Sequence, residues 1–103
     1  MLATRLFGHE DIRTVEVPMP EPGAGDILIK VEAAGICGTD RHLFKGEFPS
    51  VPGTTLGHEF SGIVVDSVGS DIALGARVTC DPNTWCGACD QCQRGRVNLC
   101  ANN

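Results

Sequence analysis

The sequence predicts a mainly β domain, a small barrel or sandwich, with a cysteine-rich zinc lobe appended to it. Apolar residues alternate over short stretches, which is the period of a half-buried strand. Thirteen glycines and six prolines in 103 residues break the chain too often for long helices. Four of the six cysteines crowd between positions 86 and 100, so the C-terminal part, 81–103, reads as a lobe built around those side chains.

Residues 2–7 and 12–17 alternate loosely and are expected to form two strands joined at Gly8-His9-Glu10-Asp11. The prolines at 18, 20 and 22 remove ladder donors and make 18–23 a loop. Residues 26–33 give the clearest strand. Residues 39–44 suit a short helical turn, and 48–53 are loop again. Residues 60–68 read as a strand with a glycine at 62, and 75–80 as another, with Cys80 as a small buried residue in it. Trp85 is expected to pack. Phe44 and Phe48 either line a cleft or fill the mouth of the barrel.

The length suits one domain, 1–103, and leaves no room for a nucleotide-binding domain beside it. A net charge of −5 repels phosphate backbones, so nucleic acid is not an expected partner. No apolar run reaches the length of a membrane span, and the N-terminal residues do not read as a signal peptide. A cytoplasmic protein is expected. There disulfides are disfavoured and metal binding by cysteine is favoured.

The spacing Cys86-x2-Cys89-x2-Cys92-x7-Cys100 lets successive sulfurs turn toward one point. Four thiolates close a tetrahedral site with no open position, which makes it structural. Thiolates favour zinc or iron over hard cations. Two disulfides among such close cysteines would strain small loops. An iron–sulfur site is an alternative, weakened by the lack of a following Cys-Pro. A nucleic-acid-binding zinc ribbon is another, opposed by the acidic balance.

A second set is more dispersed. Cys37 lies in Gly35-Ile36-Cys37-Gly38-Thr39-Asp40-Arg41-His42, and His58 and Glu59 lie in Leu56-Gly57-His58-Glu59-Phe60-Ser61-Gly62. A lone Cys or His is usually a core residue. A Cys, a His and a carboxylate together bind zinc and leave a fourth position open, as catalysis requires.

These two segments, followed by the four-cysteine lobe in the same order, resemble the zinc-dependent medium-chain alcohol dehydrogenases. Residues 42–49 and 55–62 are most similar to the polyol and sugar-alcohol branch, which includes sorbitol and galactitol dehydrogenases. The resemblance implies a GroES-like, partly open β-barrel. It implies that Cys37 and His58 are catalytic zinc ligands, with Glu59 a direct or alternating one, and that Cys86, Cys89, Cys92 and Cys100 hold a structural zinc. Thr39 would contact the substrate oxygen, His42 would be the outer member of a proton relay, and Asp40 would orient the zinc-bound histidine.

The implied reaction oxidises a secondary alcohol of a polyol or sugar alcohol to a carbonyl, with NAD or NADP. Family members carry a Rossmann domain for that dinucleotide. No strand–Gly-x-Gly-x-x-Gly–helix unit occurs here, so the chain reads as an N-terminal piece of a longer, homo-oligomeric (dimeric or tetrameric) enzyme, inactive alone. Ala76 departs from the family, where many relatives have Asp. The competing expectation is a non-catalytic, zinc-stabilised binding module.

Overall fold

The computed structural model describes residues 1–102 of the chain. Six strands form two three-stranded sheets. The first has the order β2-β1-β4, and the second β3-β5-β6. Strand β1 spans Leu2–Gly8, β2 Asp11–Glu16, β3 Ile27–Ala34, β4 Thr54–Thr55, β5 Phe60–Ser67 and β6 Arg77–Thr79. Helix α1 spans Gly38–Phe44, helix α2 spans Asp90–Gln93, and a 3-10 turn follows at Val97–Leu99.

Every pairing is antiparallel. In the first sheet β1 is central, so Leu6 is buried between Ile12 on one neighbour and Thr54 on the other. In the second sheet β5 is central. Gly62 lies opposite Val31 on β3 and Val78 on β6, and two irregularities shift the β3–β5 register, at Leu28/Ile29 and Val31/Ala33. Such bulges bend a strand and sharpen its twist.

The apolar core is small. Among the described residues Leu6, Val64 and Cys92 are the buried apolar side chains. Backbone ladders carry much of the order, and a bound metal adds its binding energy to folding in domains of this kind. No described helix is long and apolar enough to cross a membrane.

Two sequence expectations need correction. Cys80 is exposed and lies just after β6, because that strand ends at Thr79. Trp85 is 51% exposed in the irregular stretch just before Cys86, so it is not a packed residue here.

Candidate metal centres

One end of the second sheet places the chemistry: there β3 runs on toward Cys37, β5 starts after Glu59, and β6 ends at Thr79. Past β3 and before β5 the pairing continues beyond both strands: Gly35 N–H donates to Glu59 O at 2.7 Å. That bond holds the loop carrying Cys37 against the His58-Glu59 segment. The ligand atoms of Cys37, His58 and Glu59 lie within 4.8 Å of one another. Cys37 and His58 are half-buried and Glu59 is exposed, so the set is closed on its protein side and open on the other.

Cys37 is the N-cap residue of α1. Its backbone N–H donates to Asp40 Oδ2 at 2.9 Å, which satisfies one of the orphan donors of the helix start. The Asp40 carboxylate is thereby held almost buried, at 8% exposure. Its other oxygen, Oδ1, has no hydrogen-bond partner and stands 3.8 Å from His58 Nδ1. An unpaired buried carboxylate oxygen is costly. A small turn of the His58 ring to donate Nδ1–H to it would remove that cost, and it leaves the other ring nitrogen for a metal, the usual arrangement of a metal-bound histidine. The residues fit a zinc ion on this ground as well as on donor chemistry.

Thr39 sits two residues after the cap, in the first turn of α1. Its hydroxyl oxygen is 3.7 Å from Cys37 Sγ. Thr39 and His42 are three residues apart on α1, neighbours on one helix face. A cleft of about 590 Å³ opens beside the cluster and is lined by His58, Glu59, Phe60, Thr79 and Cys80 among others. An adjoining apolar cavity of about 460 Å³ includes Ile36, Phe44 and Leu56. Phe44 therefore lines a cavity, while Phe48 lies against the His42 ring, with centroids 5.0 Å apart.

The lobe gathers the other four thiols, whose sulfurs also lie within 4.8 Å of one another. Four sulfurs on a tetrahedral zinc, with bonds of about 2.3 Å, stand roughly 3.8 Å apart, so the set fits. All six cysteines are free. Local structure explains the convergence: Cys89 caps α2, Cys92 lies within that helix, and Cys100 ends the 3-10 turn. Gln93 Nε2 ties the helix to Gly87 O at 2.6 Å.

Amide donors point at the sulfurs. Cys89 N–H meets Cys86 Sγ at 3.3 Å, and Cys86 N–H meets Cys100 Sγ at 3.4 Å. Asn102 spans two of them, with its backbone N–H 3.4 Å from Cys100 Sγ and its side-chain amide 3.4 Å from Cys86 Sγ. Donors of this kind favour the thiolate, the form that binds metal. The Cys86 thiol is drawn down to about 6, first by the Ala88 backbone N–H and then by Asn102. Cys89 is lowered first by the Ala101 backbone N–H. Cys92 is pushed up to about 12, chiefly by burial.

Two contributors escaped sequence reasoning. Asn102 has no sequence signal beyond standing two residues after a cysteine. Glu47, whose carboxylate contacts His42 Nδ1, had one: it directly follows a glycine at the end of a short helical segment.

Comparison with known proteins agrees with this architecture. Residues 23–103 match the alcohol dehydrogenase GroES-like domain family. A D-arabitol-phosphate dehydrogenase of Enterococcus avium is 42% identical over 99 residues, covering 90% of this chain and 28% of that protein. A structure from Sinorhizobium meliloti, assigned as a zinc-binding dehydrogenase and bound to NADP, is 61% identical. It superposes with a TM-score of 0.90, covering 98% of this chain and 30% of that one. The galactitol-1-phosphate dehydrogenase of Escherichia coli is 31% identical with a TM-score of 0.89, again covering 98% and 30%. The chain thus spans less than a third of the length of these relatives. The two sheets have the mainly β, GroES-like architecture expected from the sequence, and the chain belongs to the alcohol dehydrogenase GroES-like domain family of the zinc-dependent medium-chain dehydrogenases.

Proposed function

We propose that this chain supplies the metal centres and proton relay of an enzyme that oxidises a secondary alcohol of a polyol or sugar alcohol to a carbonyl. A nicotinamide dinucleotide, NAD or NADP, would be held by a Rossmann domain outside these residues, in a homo-oligomeric enzyme. The observation that carries the reading is the convergence of Cys37, His58 and Glu59 beside a cleft, with Thr39 in contact with the cysteine. The four-cysteine set is remote in sequence and closed, which fits a structural role.

Cys37, His58 and Glu59 would hold the catalytic zinc, and Cys86, Cys89, Cys92 and Cys100 the structural one. Zinc supplies Lewis acidity that makes an alcohol proton labile near neutral pH, and the nicotinamide ring supplies the acceptor for the carbinol hydride. Thr39 accepts the hydroxyl proton of the substrate as it passes its own to His42. His42 releases that proton to solvent, a task suited to an imidazole, which can take a proton on one ring nitrogen while the other keeps its own. Asp40 holds the Cys37 loop through the backbone amide, and its second oxygen would fix the His58 ring once Nδ1–H turns to it. Glu59, the exposed member, is the ligand with room to exchange against an incoming oxygen. Phosphorylated polyols are the first substrates to test, because two of the similar proteins are named for them.

The decisive experiment uses the complete enzyme with its dinucleotide-binding domain. Wild type is expected to hold two zinc ions per subunit and to oxidise a polyol or its phosphate. Thr39→Ala is expected to lower kcat by about 100-fold or more with zinc retained, the usual scale for loss of proton-transfer catalysis. Unchanged kinetics on every polyol tested would refute the relay. The 103-residue chain alone is expected to show no turnover with either dinucleotide, and measurable turnover by it would overturn the division of labour.

A further inference from the structure

The end of α1 is built by a six-residue Schellman motif. Lys45 is the C-cap, and Gly46 follows with φ of +67°, a left-handed conformation that glycine adopts without penalty. Gly46 N–H donates to Leu43 O at 3.1 Å, and Glu47 N–H donates to His42 O at 2.9 Å. This pair of bonds brings the second residue after the cap beside the third residue before it, where two apolar side chains usually touch. Here the two residues are Glu47 and His42.

The contact is polar: Glu47 Oε2 meets His42 Nδ1. Phe48 covers the imidazole, with its ring tilted by 37°. The β1–β2 turn braces the same helix end, since Glu10 N–H donates to Phe44 O at 2.8 Å and a Cβ at Gly46 would stand 3.2 Å from His9 Cδ2. Arg41 and Lys45 share a small cleft with this pair. Their charges add to the field at Glu47, yet within 4.0 Å its ion-pair partner among the described residues is His42. The hydrogen bond with His42 is also the largest influence holding the Glu47 carboxyl below its usual range.

We infer that Glu47 is the positioning residue of the proton relay: its carboxylate accepts Nδ1–H of His42 and fixes the tautomer that leaves Nε2 free to take a proton from Thr39. The inference rests on the relay proposed above. The step is balanced within the pair. One O–H bond breaks at Thr39 as the substrate's proton replaces it, one N–H bond forms at Nε2, and Nδ1 keeps its own proton. The imidazolium that results faces the Glu47 carboxylate. Both side chains are about half exposed, at 51% and 49%. Water can therefore replace part of the hold, and the expected loss is about tenfold, not the ~10⁴-fold of buried carboxylate–histidine pairs.

The test compares wild type, Glu47→Ala, Glu47→Gln, His42→Ala and the Glu47→Ala/His42→Ala double variant of the complete zinc-loaded enzyme. Glu47→Ala should lower kcat by about tenfold with KM within about twofold and zinc content unchanged. Glu47→Gln should fall between, since its amide oxygen still accepts Nδ1–H but carries no charge. Adding Glu47→Ala to His42→Ala should cost nothing further. In 15N spectra of histidine-labelled enzyme, neutral His42 should carry its proton on Nδ1 in wild type and should shift toward the Nε2-protonated form in Glu47→Ala. An unchanged tautomer in Glu47→Ala, or an equal kcat loss with and without His42, would overturn the inference. If His42→Ala itself leaves kcat unchanged, the relay reading fails, and the 15N result still decides whether Glu47 fixes the ring.

Discussion

Replacing Gly62 with alanine should strike the fold and the Cys37 centre together. Gly62 is buried in the middle of β5, between β3 and β6. A Cβ there would lie 2.2 Å from Lys30 O, 2.8 Å from Ile29 Cγ2 and 2.9 Å from the Lys30 carbonyl carbon. Carbon–oxygen contacts across a sheet are ordinarily about 3.3 Å or longer, so the strands must part by roughly 1 Å. The obstacle is a backbone carbonyl, which has no rotamer to escape into. Overpacking of this kind costs about 1–3 kcal/mol, and ladder bonds weakened by the separation add to it. The lower unfolded-state entropy of alanine returns only about 0.4–1 kcal/mol. A net loss of about 2–3 kcal/mol is therefore expected, large for a chain with so small a core.

The same displacement reaches the metal centre. β3 leads to Cys37, and β5 begins directly after Glu59. Zinc ligand distances tolerate only about 0.2 Å, so a shift near 1 Å between these strands should weaken metal binding there by tenfold or more. The lobe lies beyond β6 and draws its ligands from one local segment, so its affinity should hold. Urea denaturation followed by circular dichroism gives the stability term, and competitive chelation of cobalt-substituted protein resolves the two centres by their thiolate absorption. A stability loss below about 0.5 kcal/mol, the scale of an ordinary surface substitution, or equal weakening of both centres, would refute this reasoning.

Two further outcomes are expected. Asp40→Asn keeps its one oxygen for the Cys37 amide and sets an NH2 group against His58, so zinc at Cys37, His58 and Glu59 should bind about 10–100-fold more weakly. Chelator titration checks this, and unchanged affinity would exclude an orienting role for Asp40. In metal-free protein at pH 7, iodoacetamide should alkylate Cys86 first and Cys92 last among the lobe cysteines, because the Cys86 thiol titrates at about 6 and that of Cys92 at about 12. The Cys86 rate should fall as pH drops through about 6, where the thiolate is protonated, and mass mapping showing the opposite order would contradict the amide-donor account.

The sequence by itself determined what is local. The lobe was legible because its ligands lie in one short segment, where spacing alone limits how the sulfurs can turn, and those four sulfurs do converge. Strands β1, β2, β3 and β5 were legible because alternation over six to eight residues is a strong signal. Strand β4 was not, since two residues carry no period and Thr54–Thr55 becomes a strand only by pairing with Arg5 and Leu6. Helix α2 was likewise hidden in a region read as turns, because four residues give no amphipathic pattern.

Tertiary structure decided the rest. Cys37 and His58 are distant in the chain, and donor chemistry and a resemblance to known enzymes, not spacing, joined them in the sequence reading. Their meeting depends on β3–β5 register, with Ala34 opposite Phe60 and Gly35 bonded to Glu59. A one-residue slip would turn alternate side chains to the other face of the sheet. The exposure of Cys80 depended on where β6 stops, which three residues of alternation do not specify. The Glu47–His42 pair depended on the left-handed turn at Gly46, a backbone choice that glycine permits but does not impose. Short-range chemistry is written in spacing, whereas a contact between distant segments is fixed only when the ladder between them closes in a single register.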